Sequence, residues 1–359
     1  MANQILKTDI LYNHLLRELA GYATGEKFIA TREIMERFKV SQLIVDQAMS
    51  RLRREGILEV VRGRGTFIRK AVDGKSMDKP PTILFAVPRW NSGDLRLMED
   101  CLEKLRGSCG ERILVYDYDY TEHVPRSLPF DEENVHGVAM LTSSALWDAG
   151  CIARLEEYAK RVPLVIMNRH CTDLDFAAIG ADDILAGNMA AHHLIRHGHR
   201  RIAVLVSEPM NSTIRERIRG VCNCAELFGV SCQVLDCGIK CGDYAPDKTY
   251  RYMCSLLENR IDFTGVVGIS ADSFVGTVNA CLNAGLGIPA DLSLVTIGDR
   301  HIAAIQHPQL DCVDLCNEGQ LRRIIQVLSG RKDPVSRDDF FEFFHPELFE
   351  HGSVAAPRG

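Results

Sequence analysis

Long apolar runs are absent from this chain. None approaches the ~18 residues a helix needs to cross a bilayer, and Met1-Ala2-Asn3-Gln4 lacks the pattern of a secretory signal. A membrane partner is therefore not expected, and a cytoplasmic protein is. Cysteine is plentiful, at 13 of 359 residues, but the arrangement that would make it informative is missing. Cys222-x-Cys224, Cys237-x3-Cys241 and Cys312-x3-Cys316 do not form the paired CxxC of a zinc site. Disulfides are not expected in that compartment, so most of these thiols read as small apolar fillers. There is no P-loop, no Gly-x-Ser-x-Gly elbow and no HExxH. No enzymatic centre, cofactor or metal is expected. His192, His193, His197 and His199 could suggest a metal, but a helix end, whose carbonyls favour positive charge, accounts for them as well. No internal repeat or low-complexity tract is evident.

Charge, in contrast, is present and unevenly placed. Residues 1–75 carry 14 Lys and Arg against 9 Asp and Glu, whereas residues 76–359 carry 28 against 39. A basic head on an acidic body is the electrostatic footprint of a polyanion binder. Inside the head, Ile34, Met35 and Phe38 recur at helical spacing, and so do Val45, Ala48, Met49 and Leu52. Lys39-Val40-Ser41 separates the two runs, and Ser41 is expected to cap the second helix through its hydroxyl. Helix, short turn and second helix make a pattern whose second helix can enter a major groove. After Gly56, Ile57 to Val61 and Thr66 to Ile68 flank Arg62-Gly63-Arg64-Gly65. This predicts a β-hairpin wing whose arginines suit phosphate or a narrow minor groove. Ile10, Leu11, Leu15, Leu16 and Leu19 mark a preceding helix.

This head resembles the winged-helix domain of the GntR regulators. The residues that carry the likeness are Arg32-Glu33, Phe38-Lys39-Val40-Ser41, Val45, Ala48, Leu52-x-x-Glu55-Gly56 and Arg62-Gly63-Arg64-Gly65-Thr66-Phe67. The resemblance implies DNA contacts from Arg32, from Ser41, Gln42, Leu43 and Gln47 in the second helix, and from Arg62, Arg64, Gly65 and Thr66 in the wing. Two positions depart from the family's arginines: Gln42 and Asp46. Gln42 can pair with adenine. Asp46 must face away from DNA or weaken binding.

Residues 71–81 are polar and marked by glycine and proline, and read as a linker between a head at 1–70 and a body at 82–359. The body alternates strands and helices, beginning with the continuous apolar run Ile83 to Val87. Such alternation implies an α/β fold of parallel sheets with helices on both faces, and it restarts after Gly180, which suggests two lobes. Helices are expected near 94–106, 151–161, 183–197, 213–228, 247–259, 273–284 and 318–329, with no long helix in 119–136.

The body resembles the ligand-binding core of the LacI family, a fold like that of periplasmic sugar-binding proteins. The likeness rests on Asp183-x3-Gly187-x4-Ala191-x2-Leu194-Ile195-x2-Gly198-His199-x2-Ile202-Ala203, on Arg217-x2-Gly220, on Gly285-Leu286-x-Ile288-Pro289-x-Asp291-Leu292-Ser293-Leu294-Val295, and on His345-Pro346-Glu347-Leu348. It implies two lobes joined by three crossovers, a small-molecule cleft between them and a homodimer. Ligands of parallel sheets sit beyond the strands' carboxyl ends. That geometry selects Arg89, Trp90, Asp94, Asn168, Arg169, Asp272 and Asp299. The resemblance adds Arg217 as the arginine that grips effector oxygens. Structural alternatives stand beside these: an ion pair for Arg217, a helix cap or turn for Asp272 and Asp299, and a hinge or core role for Trp90. Where the family has a second aspartate beside Asp299, this chain has Gly298. The expected function is a transcription regulator, a repressor by resemblance, that binds a double-stranded operator and answers a small-molecule effector, with a sugar foremost. The alternatives are a sugar-binding module with a vestigial head and a sugar- or nucleotide-acting enzyme.

Overall fold

The computed structural model describes residues 8, 11–12, 14–16, 18–19, 21–61, 63–70, 81–89, 92–106, 111–143, 147–169, 176–330 and 341–358, without the side chains of Asp94 and Phe341. Arg62, Trp90, the side chain of Asp94 and nearly all of the expected linker thus lie outside the described residues.

The described positions from Thr8 to Leu19 are helical. Two helices follow, α1 (Thr31–Phe38) and α2 (Gln42–Arg54). Lys39, in the left-handed conformation, makes the turn between them. Gly56, also at positive φ, stops α2 and starts the hairpin β1 (Leu58–Val61) and β2 (Gly65–Ile68). Leu11, Leu15 and Leu19 pack with Phe28, Ile34, Val45, Ala48, Leu52, Leu58 and Ile68 in a core of the head's own. The helical periodicity was therefore the apolar side of a three-helix head.

In the body, β3 (Thr82–Arg89) is buried from Thr82 to Pro88, as its unbroken apolar run requires of a central strand covered on both faces. Around it lie β4 (Arg112–Asp119), β5 (Val135–Leu141), β6 (Leu164–Met167) and β7 (Ala177–Ala181), with β13 (Phe341–Phe344) on the edge, in the order β13-β7-β6-β5-β3-β4. All described pairings in this first lobe are parallel. Leu84 and Ala86 pack on one side of the sheet, and Ile83 and Phe85 on the other. Helices α3 (Gly93–Leu105) and α4 (Ala149–Arg161) belong to this lobe. In place of a long helix after β4 there is one 3-10 turn, Tyr120–Glu122.

The second lobe repeats the plan with β8 (Arg201–Val206), β9 (Ser231–Asp236), β10 (Gly265–Gly268), β11 (Ser293–Gly298), β12 (Asp311–Asp314) and β14 (Glu347–Phe349), in the order β14-β12-β11-β10-β8-β9. Only β14 runs antiparallel among the described strands of this sheet. Its helices are α5 (Asp183–Arg196), α6 (Ser212–Leu227), α7 (Ala245–Leu257), α8 (Ala271–Asn283) and α9 (Arg300–Ile305). Helix α10 (Asn317–Leu328) returns to the first lobe, where Leu321, Ile324 and Leu328 join Ile83 and Phe85. The described chain therefore passes between lobes at Asp182, at 315–316 and at 345–346, the three expected crossovers.

Helices α5 and α6 approach until their backbones touch. A Cβ at Gly187 would sit 2.1 Å from the Arg217 carbonyl oxygen, and one at Gly220 would sit 2.2 Å from that of Ile184. Backbone cannot retreat as a flexible side chain can, so the pair of glycines sets the helix spacing and with it the position of Arg217. Gly187→Ala is expected to destabilise the chain by about 1–3 kcal/mol through overpacking, read as a lower urea midpoint with an unchanged slope.

Candidate DNA-binding face and ligand cleft

Helix α2 divides cleanly. Ile44, Val45, Ala48, Met49 and Leu52 are buried, while Gln42, Leu43, Asp46 and Gln47 are exposed. At about 100° per residue these four, with Ser50 and Arg53, share one outward stripe. Leu43 is 54% exposed, a large apolar side chain left facing solvent in a well-packed head. The Gln47 amide oxygen accepts from Thr8 Oγ1 at 2.8 Å, which ties this face to the first helix. Asp46 is exposed on this same stripe. One expectation fails: Ser41 occupies the N-cap, but its hydroxyl makes no cap bond. Its carbonyl accepts from Ile44 and Val45 N–H instead, and the side chain stays in solvent.

In the wing, β1 and β2 pair antiparallel from Leu58–Ile68 to Val61–Gly65. Gly63 and Gly65 both take positive φ, and the Arg64 N–H donates to the Val61 carbonyl at 2.9 Å. Arg64 and Gly65 are exposed and Thr66 half-buried. Arg32, in the first turn of α1, is exposed too. The described residues named for DNA contact thus lie at the surface of one small head, and the arginine-bearing hairpin is not tucked inside.

In the second lobe, Arg217 is 14% exposed. Its Nε donates to Asp183 Oδ1 at 2.7 Å, and Nη1 donates to the Ile269 carbonyl at 2.8 Å. The ion-pair alternative is therefore realised, and it orients the guanidinium at the end of β10. Asp299, also buried, caps α9 by accepting from His301 N–H at 2.7 Å. It is the helix cap that was the alternative to a ligand contact, because a strand ending directly in a helix needs an acceptor for free first-turn amides. Asp272 accepts from Gly93 N–H of the opposite lobe at 2.7 Å. Arg169 stacks over Trp147, 4.1 Å from the ring centroid, and reaches the Ser143 carbonyl at 3.3 Å. It braces strand-end loops of the first lobe. Ser207 and Ser270, missed in the sequence, lie buried at the ends of β8 and β10. Two serines after apolar strands give no signal without the sheet order that brings them together. A separate pocket of about 360 Å³ lies at the ends of β3 and β4, lined by Arg89, Tyr116, Asp119, Tyr120 and Arg126 among others.

The histidines have structural partners. His193 Nε2 bonds to Asp311 Oδ2 at 2.7 Å with both groups buried. His199 bridges Thr264 Oγ1 and the Ala355 carbonyl, and burial lowers its pKa. No group of three or more metal-binding side chains occurs among the described residues.

Burial first, and then the charge of Asp183, push the Glu216 carboxyl up to about 7 from an ordinary 4.5. The folded chain therefore holds a proton that the unfolded chain has released, and stability falls as pH rises from about 4.5 through about 7. Glu216→Gln removes that dependence. The variant's melting temperature should gain on the parent's between about pH 5 and about pH 8, a gap that thermal unfolding at the two values measures.

Comparison with known proteins agrees with both halves. Residues 6–68 match the bacterial regulatory proteins of the gntR family, and residues 191–334 match the periplasmic binding protein-like domain. A relative from Streptomyces limosus, an uncharacterized HTH-type transcriptional regulator in the aml 5' region, is 29% identical over 231 residues, 63% of this chain. The HTH-type transcriptional repressor PurR of Escherichia coli O1:K1 is 27% identical over 230 residues, 62% of this chain. The chain spans 64% of the length of each of these relatives. Among solved structures, a LacI transcriptional regulator from a Rhodococcus species superposes with a TM-score of 0.62 at 18% identity, covering 77% of this chain and 98% of the other. The LacI family regulator CCPA of Weissella paramesenteroides with bound sucrose also gives 0.62 at 18% identity, covering 77% and 99%. No described helix is long and apolar enough to cross a membrane. The chain thus matches the gntR family over residues 6–68 and the periplasmic binding protein-like domain over 191–334, and its body shares the fold of the solved LacI regulators.

Proposed function

We propose that this protein is a DNA-binding transcription regulator, a repressor by analogy with PurR, whose grip on an operator is set by a small molecule in the interlobe crevice. The observation that carries this reading is the head. Its apolar side is filled by its own core, while the outward stripe of α2 and the arginine-bearing hairpin face solvent together. The domains would be a head at 1–70, a linker at 71–81 and an effector-binding, dimerising body at 82–359. In a homodimer, two heads read a pseudo-palindromic site. Arg32 and Arg64 serve phosphates, and Gln42, Leu43 and Gln47 face base edges. In the crevice, Arg217 is the foremost effector contact, held ready by Asp183, with Ser207 and Ser270 beside it. A sugar is the effector class favoured by the sucrose- and glucose-bound relatives. A cytoplasmic location fits an operator-binding protein.

A second reading has one specific observation in its favour. Asp46 stands on the outward stripe, where a carboxylate repels phosphate, as expected of a sugar-binding module whose head no longer holds DNA. Fragment retention in a mobility-shift assay separates the two. The parent chain should select a site, and Arg64→Ala should weaken binding to all sequences alike while reducing the salt slope by about 0.9 per lost phosphate contact. A parent that retains no DNA at low salt rejects the regulator. On the effector side, a bound sugar at 100 times its Kd should stabilise the fold by about 2.7 kcal/mol in a thermal-shift screen.

A further inference from the structure

Two helices, one in each lobe, begin at the same place and meet there. Gly93 opens α3 in the first lobe, and Asp272 lies in the first turn of α8 in the second. The Gly93 N–H donates to Asp272 Oδ2 at 2.7 Å. The approach leaves no room for a side chain: a Cβ on residue 93 would fall 2.1 Å from Asp272 Oδ1 and 2.4 Å from its Cγ.

Both helix starts lack a cap of their own. Ser92 and Ser270 stand at the N-cap positions, and neither makes a side-chain cap bond. The first amides of a helix have no acceptor within the helix, and the aligned peptide dipoles leave roughly half a positive charge there. Two such ends brought face to face repel each other unless a negative group lies between them. The Asp272 carboxylate is that group. It sits in the first turn of its own helix and accepts from the first residue of the other.

We propose that Asp272 is a positioning residue between the lobes, supplying α3 with the N-cap it lacks and so holding the two lobes in the arrangement seen here, with Gly93 required for the contact. In this arrangement its carboxylate is engaged by the opposite lobe. Separating the lobes takes the cap from α3. A second meeting point lies at Tyr120, whose hydroxyl is 2.7 Å from where a Cβ on Gly242 of the other lobe would stand. The functional meaning of the contact rests on reading the crevice as the effector site, but the contact itself does not.

Hydrogen exchange of the ligand-free full-length chain tests this directly. The Gly93 amide has no acceptor within its helix, so its protection depends on Asp272. In the parent it should exchange slowly. In Asp272→Ala it should exchange about tenfold faster, a cap's usual worth expressed as a rate, and in Asp272→Asn, which keeps a carbonyl acceptor, at a rate between the two. The Cys151 amide, capped at 2.7 Å by Asp148 within the first lobe, should not change and reports an intact fold. Small-angle scattering should give a larger radius of gyration for Gly93→Ala, where the added methyl group forces the walls apart. Equal Gly93 exchange in the parent and either Asp272 variant overturns the proposal, as does a Gly93→Ala scattering profile that superimposes on the parent's. Should Asp272→Ala not fold, Asp272→Asn and Gly93→Ala decide the matter. If the exchange and scattering differences appear but no sugar shifts the parent's melting, the effector reading falls and the positioning role stands.

Discussion

The ion pair between buried Asp183 and partly buried Arg217 is the contact on which the placing of this guanidinium depends. Asp183 is the first residue past the crossover at Asp182, Arg217 belongs to the next helix, and the guanidinium also holds the carbonyl at the end of β10. One side chain thus joins a hinge, a helix and a strand end. A buried pair of this kind is weak evidence of net stability, because desolvation offsets much of the attraction. It is strong evidence of position. Arginine keeps its charge at any working pH and presents a planar fork of donors, so its unspent donors point in a direction that Asp183 and Ile269 have already set. The close glycines of α5 and α6 make that geometry possible.

The elements legible in the sequence were those whose burial writes a simple period. The head's helices and hairpin, the fully buried β3, the long amphipathic helices and the absence of one after β4 all follow from apolar spacing and turn chemistry. What was missed lacks such a period. Strand β12 reads Asp-Cys-Val-Asp, and Asp311 at its start is buried with a carboxylate that accepts from His193 and from the amides of His351, Gly352 and Ser353. Burial alone would raise its pKa, but these bonds hold it below the usual range. A charged residue in a central strand looks like a loop until its partners, which are distant in sequence, are in view. Strands β13 and β14 are three or four residues long and owe their existence to the sheet edges they join.

The candidate site was legible by residue type more than by role. Asp272 and Asp299 follow strand ends, and Arg217 in α6 reaches the carbonyl just past β10, yet each is already engaged: with the opposite lobe, with its own helix, and with an aspartate. Strand-end geometry selects positions but does not distinguish ligand contacts from the caps and struts that the same positions need. In the head the distinction is sharper, because the outward stripe of α2 is largely exposed, with Gln47 tied to Thr8. Ser41 shows the same point from the other side, since its hydroxyl was assigned a cap and is instead left in solvent.

Signal transfer from crevice to head needs an element shared by both, and α10 meets that description. It begins just past the second crossover, where Cys316 takes a left-handed conformation, and packs along its length into the first lobe's core. At its far end the Ser329 carbonyl accepts from His14 Nε2 of the head at 2.9 Å. His14 in turn lies against Phe38, at the end of α1 and just before the turn into α2, with ring centroids 5.4 Å apart. A helix of twelve residues is stiff, and α10 thus joins the crossover at 315–316 to the head. Stiffness alone does not make a switch. An effector biases the head only as far as it binds one arrangement of the lobes better than the other. The contact between Asp272 and Gly93 is one of the interactions that join the two lobes in the arrangement described here.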